Sequence, residues 1–179
     1  MDSQAWKLAV VDMVRLLQQM AEVDVDRLWE YHLPELAATP EQLAAVEQHL
    51  GECIDSTYRA FLEVAAGWRC AYQRVDLFGP GDLVGGERMT RALRLLQELE
   101  DGVLVDSGYR RDQLLPIACS SVNLDLFVIT RLASRSPGTV IWYNGREIDR
   151  YKDFDEFFLA MMEYNRLEAE DLKAENGLR

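Results

Sequence analysis

The chain has 179 residues, 49% of them hydrophobic and 28% charged, with a formal charge of −12 at neutral pH. That length and apolar share suit a single globular domain able to bury a real core, and no run approaches the roughly 18 uncharged apolar residues that a membrane span needs. So acidic a chain repels phosphate backbones, which argues against direct nucleic-acid binding and leaves two uses for the charge, attraction of a basic protein or plain solubility.

The first twenty residues set Asp2, Lys7, Asp12 and Arg15 among apolar neighbours. A signal peptide wants an unbroken apolar core, so the expected compartment is the cytoplasm. Residues 4–20 are predicted as a helix because Trp6, Val10, Met13, Leu17 and Met20 recur at threes and fours. A second helical stretch is expected over about 24–32, burying Val25, Leu28 and Trp29, until Pro34 breaks it. Acid gathers here. From Glu22 to Asp55 stand Glu22, Asp24, Asp26, Glu30, Glu35, Glu41, Glu47, Glu52 and Asp55, against one base, Arg27.

Thr39-Pro40-Glu41-Gln42 is a helix start: a capping threonine, a proline where its missing N–H costs nothing, and Gln42 at the reciprocal position. Leu43, Val46 and Leu50 form the inner face and Gly51 is the left-handed stop. The next helix begins at Asp55 or Ser56, turns Tyr58, Phe61, Leu62 and Ala65 inward, and is expected to end at Gly67. Ala71–Phe78 alternates as one strand, and Gly79-Pro80-Gly81-Asp82 reads as a turn.

A helix over about 87–100 turns Met89, Ala92, Leu93, Leu96 and Leu99 inward. Arg88, Arg91 and Arg94 line its other side, where Glu87–Arg91 and Arg94–Glu98 spacings predict a self-paired, solvated face. Gly102–Arg111 carries no packing pattern and is expected as a loose connection. Strands follow at Leu114–Ala118, Leu124–Thr130 and Thr139–Tyr143. Asn144-Gly145 signals a two-residue hairpin to Ile148–Tyr151. Asp153 caps a last helix with Phe154, Phe157, Phe158, Met161 and Met162 inward, fraying past Glu168. Helices followed by short antiparallel strands make an α+β domain over 1–179, with a core of about 39–163 and residues 1–38 as a helical extension.

Tests for chemistry come back empty. The glycines around Gly79–Gly86 lack the Lys-Ser/Thr of a P-loop and the spacing of a dinucleotide fingerprint. Ser120-Ser121 has no nucleophile elbow, and Asp153, Asp155 and Glu156 sit where a helix dipole favours acid. Cys53, Cys70 and Cys119 are too sparse for a disulfide framework, and neither His32 nor His49 has ligand spacing to a cysteine, so no metal and no cofactor is expected.

Taken together, Glu47, Gly51, Ile54-Asp55, Tyr58, Phe61-Leu62, Ala66-Gly67, Leu77-Phe78-Gly79 with Asp82-Leu83, Leu115-Pro116-Ile117-Ala118, Leu126-Phe127, Gly138 to Trp142 and Phe154 to Phe158 resemble the SUKH superfamily of immunity proteins, which includes fungal cell-wall-assembly regulators. The likeness covers about residues 39–163. It departs from the family pattern at Asp55, where proline is usual, at Ala66 for asparagine and at Asn123 for glycine. The resemblance implies an α+β binding protein rather than an enzyme: N-terminal helices, a mostly antiparallel curved sheet, a mid-chain helix and a closing C-terminal helix. Its bacterial members look like immunity partners that block a cognate toxin, often a nuclease. A nuclease cleft is basic, so Glu22, Asp24, Asp26, Glu30, Glu35, Glu41 and Glu52 are the expected contacts with a basic toxin domain. A regulatory or scaffolding adaptor of the same fold is the alternative, and an enzyme a distant third.

Overall fold

A computed structural model describes residues 1–176. Helix α1 (Ser3–Val23) starts at Asp2, whose carboxylate accepts from the Ala5 amide, and lies along α7 (Phe154–Glu175) at the other end of the chain. Asp153 caps α7 by accepting from the Glu156 amide. Between them fall α2 (Pro40–Leu50), with both arms of its capping box formed, and α3 (Ser56–Leu62), capped by Asp55 through the Thr57 and Tyr58 amides. Gly51 ends α2 at φ 70°, a conformation that costs glycine little.

Six strands form one antiparallel sheet in chain order: β1 (Trp68–Tyr72), β2 (Val75–Leu77), β3 (Leu114–Ser120), β4 (Leu126–Thr130), β5 (Val140–Tyr143) and β6 (Glu147–Tyr151). Helices α4 (Pro80–Leu83), α5 (Glu87–Glu98) and α6 (Asp101–Ser107) fill the excursion between β2 and β3. Every residue of β3 and β4 is buried because both faces are covered. On one face α7 sets Phe157 against Phe127, with ring centroids 5.2 Å apart. On the other, α5 packs on β3 and β4.

The core is closed by aromatic rings that the helical periodicities picked out. Trp6 of α1, Phe61 of α3 and Phe158 of α7 meet with centroids 5.1–5.6 Å apart. Phe154 lies 4.7 Å from Tyr58, whose hydroxyl donates to the Phe78 carbonyl at 2.7 Å. Such tilted contacts add about 0.5–1.5 kcal/mol each beyond area burial, so α1 is part of the core and not an appendage to it.

Several expectations need correcting. No helix forms over 24–32; the chain runs as turns and extended loop, leaving Val25 and Leu28 exposed and Trp29 half-buried. Helix α3 stops at Leu62 rather than Gly67, because Ala65 pairs with Leu36 in a short antiparallel bridge. The expected strand 71–78 is two strands of a hairpin, reversed at Gln73 (φ 48°), and its alternation hid the reversal because β2 is buried throughout. The turn at Gly79–Asp82 winds into α4, and the loose connection contains α6.

The hairpin after β5 has three residues, Asn144–Arg146, with Tyr143 opposite Glu147. Helix α7 continues to Glu175 because Ala169 and Leu172 are buried; of the expected frayed tail, residues 177–179 lie outside the described part.

The arginine face of α5 is also not self-paired. Arg88 reaches Asp82 at 3.3 Å and Asp76 at 3.7 Å, while Arg91 donates to the carbonyls of Ser120 and Asn123. Both arginines tie α5 to the sheet and its loops. On α5 itself, Leu95 takes the buried place expected for Leu93, which is exposed.

Candidate functional site

The segment from Asp24 to Leu36 is irregular, yet it is held at several points. Asp24 is the organiser. Its carboxylate is buried and accepts from the Leu28 amide (2.9 Å), the Trp29 amide (3.1 Å) and the Tyr31 hydroxyl (2.9 Å). Burial pushes the carboxyl up, but the Leu28, Trp29, Tyr31 and Arg27 donors together outweigh it and hold the acid below its ordinary value. Burial and the neighbouring Asp24 push the Tyr31 phenol up in turn.

Long-range bonds fasten the rest of the loop. The Trp68 indole donates to the His32 carbonyl at 2.8 Å, and Arg74 to the Leu28 carbonyl at 3.3 Å. The Glu35 amide donates to Gly67, and the Leu36 carbonyl accepts from Ala66. Gly79 makes this possible, since a Cβ there would stand 1.8 Å from the Ala66 carbonyl oxygen.

A loop so anchored presents fixed side chains. Val25, Leu33 and Leu36 are 60%, 68% and 91% exposed, the last on a residue whose backbone is locked in the bridge to Ala65. Beside them Tyr31, His32 and Leu33 form a shallow cleft with Val14, Leu17 and Ala21 of α1. Exposed apolar side chains on a preorganised backbone, in a segment that also carries exposed acids, have the composition of a protein-binding surface.

The seven acids expected to contact a partner fare differently. Asp24 is the correction: it faces inward and its oxygens are occupied, so it shapes the surface without touching a partner. Glu22, Asp26 and Glu41 are exposed, and the Glu41 carboxyl is held low by its own amide and Thr39 at the start of α2. Glu30 is exposed beside His32; the His32 hydrogen bond, with lesser help from Arg69 and Arg74, holds its carboxyl low. Glu35 stands 4.0 Å from Arg88. Glu52 is half-buried and pairs in charge with Arg131 at 2.9 Å. Outside the seven, Glu47 is held by Arg59 and the Ile54 amide.

The other chemical candidates are structural. Ser120 is buried, with its hydroxyl accepting from the Val122 and Asn123 amides. Asp153 caps α7, Asp155 meets the Met1 amino group, and Glu156 accepts from the Lys152 amide. A second concavity, between α5 and the sheet, has an apolar floor of Leu95, Leu99, Leu124 and Leu126 with Glu98 and Glu100 at its rim.

One grouping was invisible to spacing along the chain. Glu30, His32 and Cys70 each place a ligand-type atom within 4.8 Å of the others. His32 and Cys70 lie far apart in sequence, and the long-range bonds that seat the loop on β1, Trp68 to the His32 carbonyl among them, bring them together.

Among the described residues no helix is long and apolar enough to cross a membrane. A model of the SMI1 / KNR4 family (SUKH-1) matches residues 37–160, well over half the chain. A search of curated proteins finds no match. The family match begins just after the loop, so residues 24–36 lie outside the matched core.

Proposed function

The chain belongs to the SMI1 / KNR4 family (SUKH-1), and from that premise we propose that it is a cytoplasmic immunity protein. It binds a basic toxin domain, such as a nuclease, one to one, and works by occupying it rather than by catalysis. The observation that carries this proposal is the surface of residues 24–36. Val25, Leu33 and Leu36 are exposed on a backbone fixed by Asp24, Trp68 and Gly67, in a stretch of chain that also exposes Glu22, Asp26, Glu30 and Glu35. Apolar anchors supply most of the affinity of such an interface, and the acidic rim speeds encounter with a cationic partner.

The test is capture of the partner at low ionic strength followed by titration of its toxic activity. Loss of that activity at one equivalent supports the proposal, as does a fall in capture when Leu36→Asp or Val25→Asp replaces an anchor. Substoichiometric partners without toxic activity would move the assignment to a scaffolding adaptor, the second function this family premise allows. Charge reversal at Glu22, Asp26 and Glu41 that leaves binding and its salt dependence unchanged would sink the electrostatic part alone.

A further inference from the structure

We propose that Glu30, His32 and Cys70 form a binding site for one thiophilic divalent cation, with Zn²⁺ the best match. They are the one grouping of potential metal ligands found among the described residues, and they supply a carboxylate oxygen, an imidazole nitrogen and a sulfur. That donor set suits zinc and disfavours magnesium and calcium, which take oxygen. Three protein ligands leave a fourth position for water or for a side chain of a bound partner.

The backbone is shaped for this role at Cys70. Strand β1 carries a register irregularity between Trp68 and Tyr72, and inside it Cys70 sits at φ 50°, a conformation rare for a residue with a Cβ. Its amide is withdrawn from the strand ladder and donates to Asp76 at 2.8 Å, while Asp76 is in turn 3.7 Å from Arg88. Bulges and left-handed residues of this kind re-aim side chains next to functional sites. Here the re-aimed side chain is a thiol that lies within 4.8 Å of the His32 imidazole and the Glu30 carboxylate.

The opposing ligands are equally positioned. His32 and Glu30 lie two residues apart on the loop that Asp24 organises, and the Trp68 indole, two residues before Cys70, bonds the His32 carbonyl. The His32 Nε2 and Glu30 Oε2 atoms are 3.1 Å apart. Tetrahedral zinc needs its ligand atoms roughly 3.3–3.8 Å from one another. A contraction of about 1 Å at the widest pair therefore closes the set, and Glu30 is exposed and His32 partly so, which leaves both free to make it. With Cys70 as thiolate and Glu30 ionised, the dication is neutralised, and its binding releases the thiol proton to solvent. The site shares Glu30 and the 24–36 loop with the proposed partner surface, but it does not depend on that proposal and needs no partner for its test.

The full-length protein, kept reduced with a phosphine and stripped with a chelator, is titrated with Co²⁺ and followed by absorption. The expected result is one equivalent bound, with thiolate-to-cobalt charge transfer and tetrahedral d–d bands, both abolished by Zn²⁺. Cys70→Ser removes the charge transfer, His32→Gln and Glu30→Gln each weaken binding by about tenfold or more, and Cys53→Ser changes nothing. His32→Gln and Glu30→Gln alter surface side chains, so their folding is assured by circular dichroism even if Cys70→Ser proves unstable. No charge-transfer band in the unaltered protein, a band that follows Cys53, or binding indifferent to His32→Gln overturns the site.

Discussion

Residues 24–36 and residues 39–51 are neighbours of equal length, both acidic and both seeded with apolar side chains, yet one is an anchored loop and the other a capped helix. The helix is closed by bonds between residues three and four apart: Thr39 with Gln42 at its start, and Gly51 with Glu47 at its end. The loop has no such start or stop. One buried carboxylate and donors from Trp68, Arg74 and Ala66 hold it instead. Two stretches of like composition therefore draw their order from different ranges of the chain, and they should fail differently.

The largest expected effect is at Asp24. Asp24→Ala leaves the Leu28 and Trp29 amides and the Tyr31 hydroxyl without their acceptor, and should cost about 2–3 kcal/mol, since charged hydrogen bonds are among the stronger ones. Hydrogen exchange should show the loss confined to 24–36 and its contacts on β1, with α2 still protected. Equal loss in α2 would mean the two regions are one cooperative unit.

Acid should separate them next. The Asp24 carboxyl is held below its ordinary value in the folded protein, so its contribution is fully present above the unfolded value and is lost as pH falls through the folded one. The Thr39–Gln42 pair of α2 is neutral, and the acid dependence of that helix start rests on Glu41 alone, held low by its own amide and Thr39 but fully exposed and so weaker than Asp24. Amide exchange followed downward through the carboxylate range should show the loop opening before α2, and Asp24→Asn should abolish the difference.

A smaller effect is predicted at the helix. Thr39→Ala removes one arm of the capping box and should cost about 1 kcal/mol in a denaturant melt, with the loop unaffected. Smallest in stability is Leu36→Ser, within about 0.5 kcal/mol because its side chain is almost wholly in solvent. That variant should nonetheless weaken partner capture, and if it does not, Leu36 is no anchor.

The contrast explains which parts of the molecule were legible before its structure. The caps at Thr39, Asp55 and Asp153 and the inward stripes of α1, α2 and α7 were readable because each is local. Asp24 reads as a surface acid in the sequence, which shows charge but not which way a carboxylate turns. Arg91 had a plausible partner in Glu87, four residues away on its own helix, but the buried Ser120 carbonyl out-competed that exposed acid, as lower dielectric makes such bonds stronger; Arg88, with no acid four residues away, turns to Asp76 and Asp82.

The sequence by itself determined the α+β class, the acidic character and the family over its matched core, because periodicity, caps and turn residues act within a few positions of one another. That residues 24–36 form an exposed, fixed loop, that the strand at 71–78 is a hairpin, and that Cys70 faces His32 and Glu30 emerges with the packed chain alone. Those outcomes rest on hydrogen bonds such as Trp68 to His32, across a span of 36 residues, for which no local pattern exists to be read.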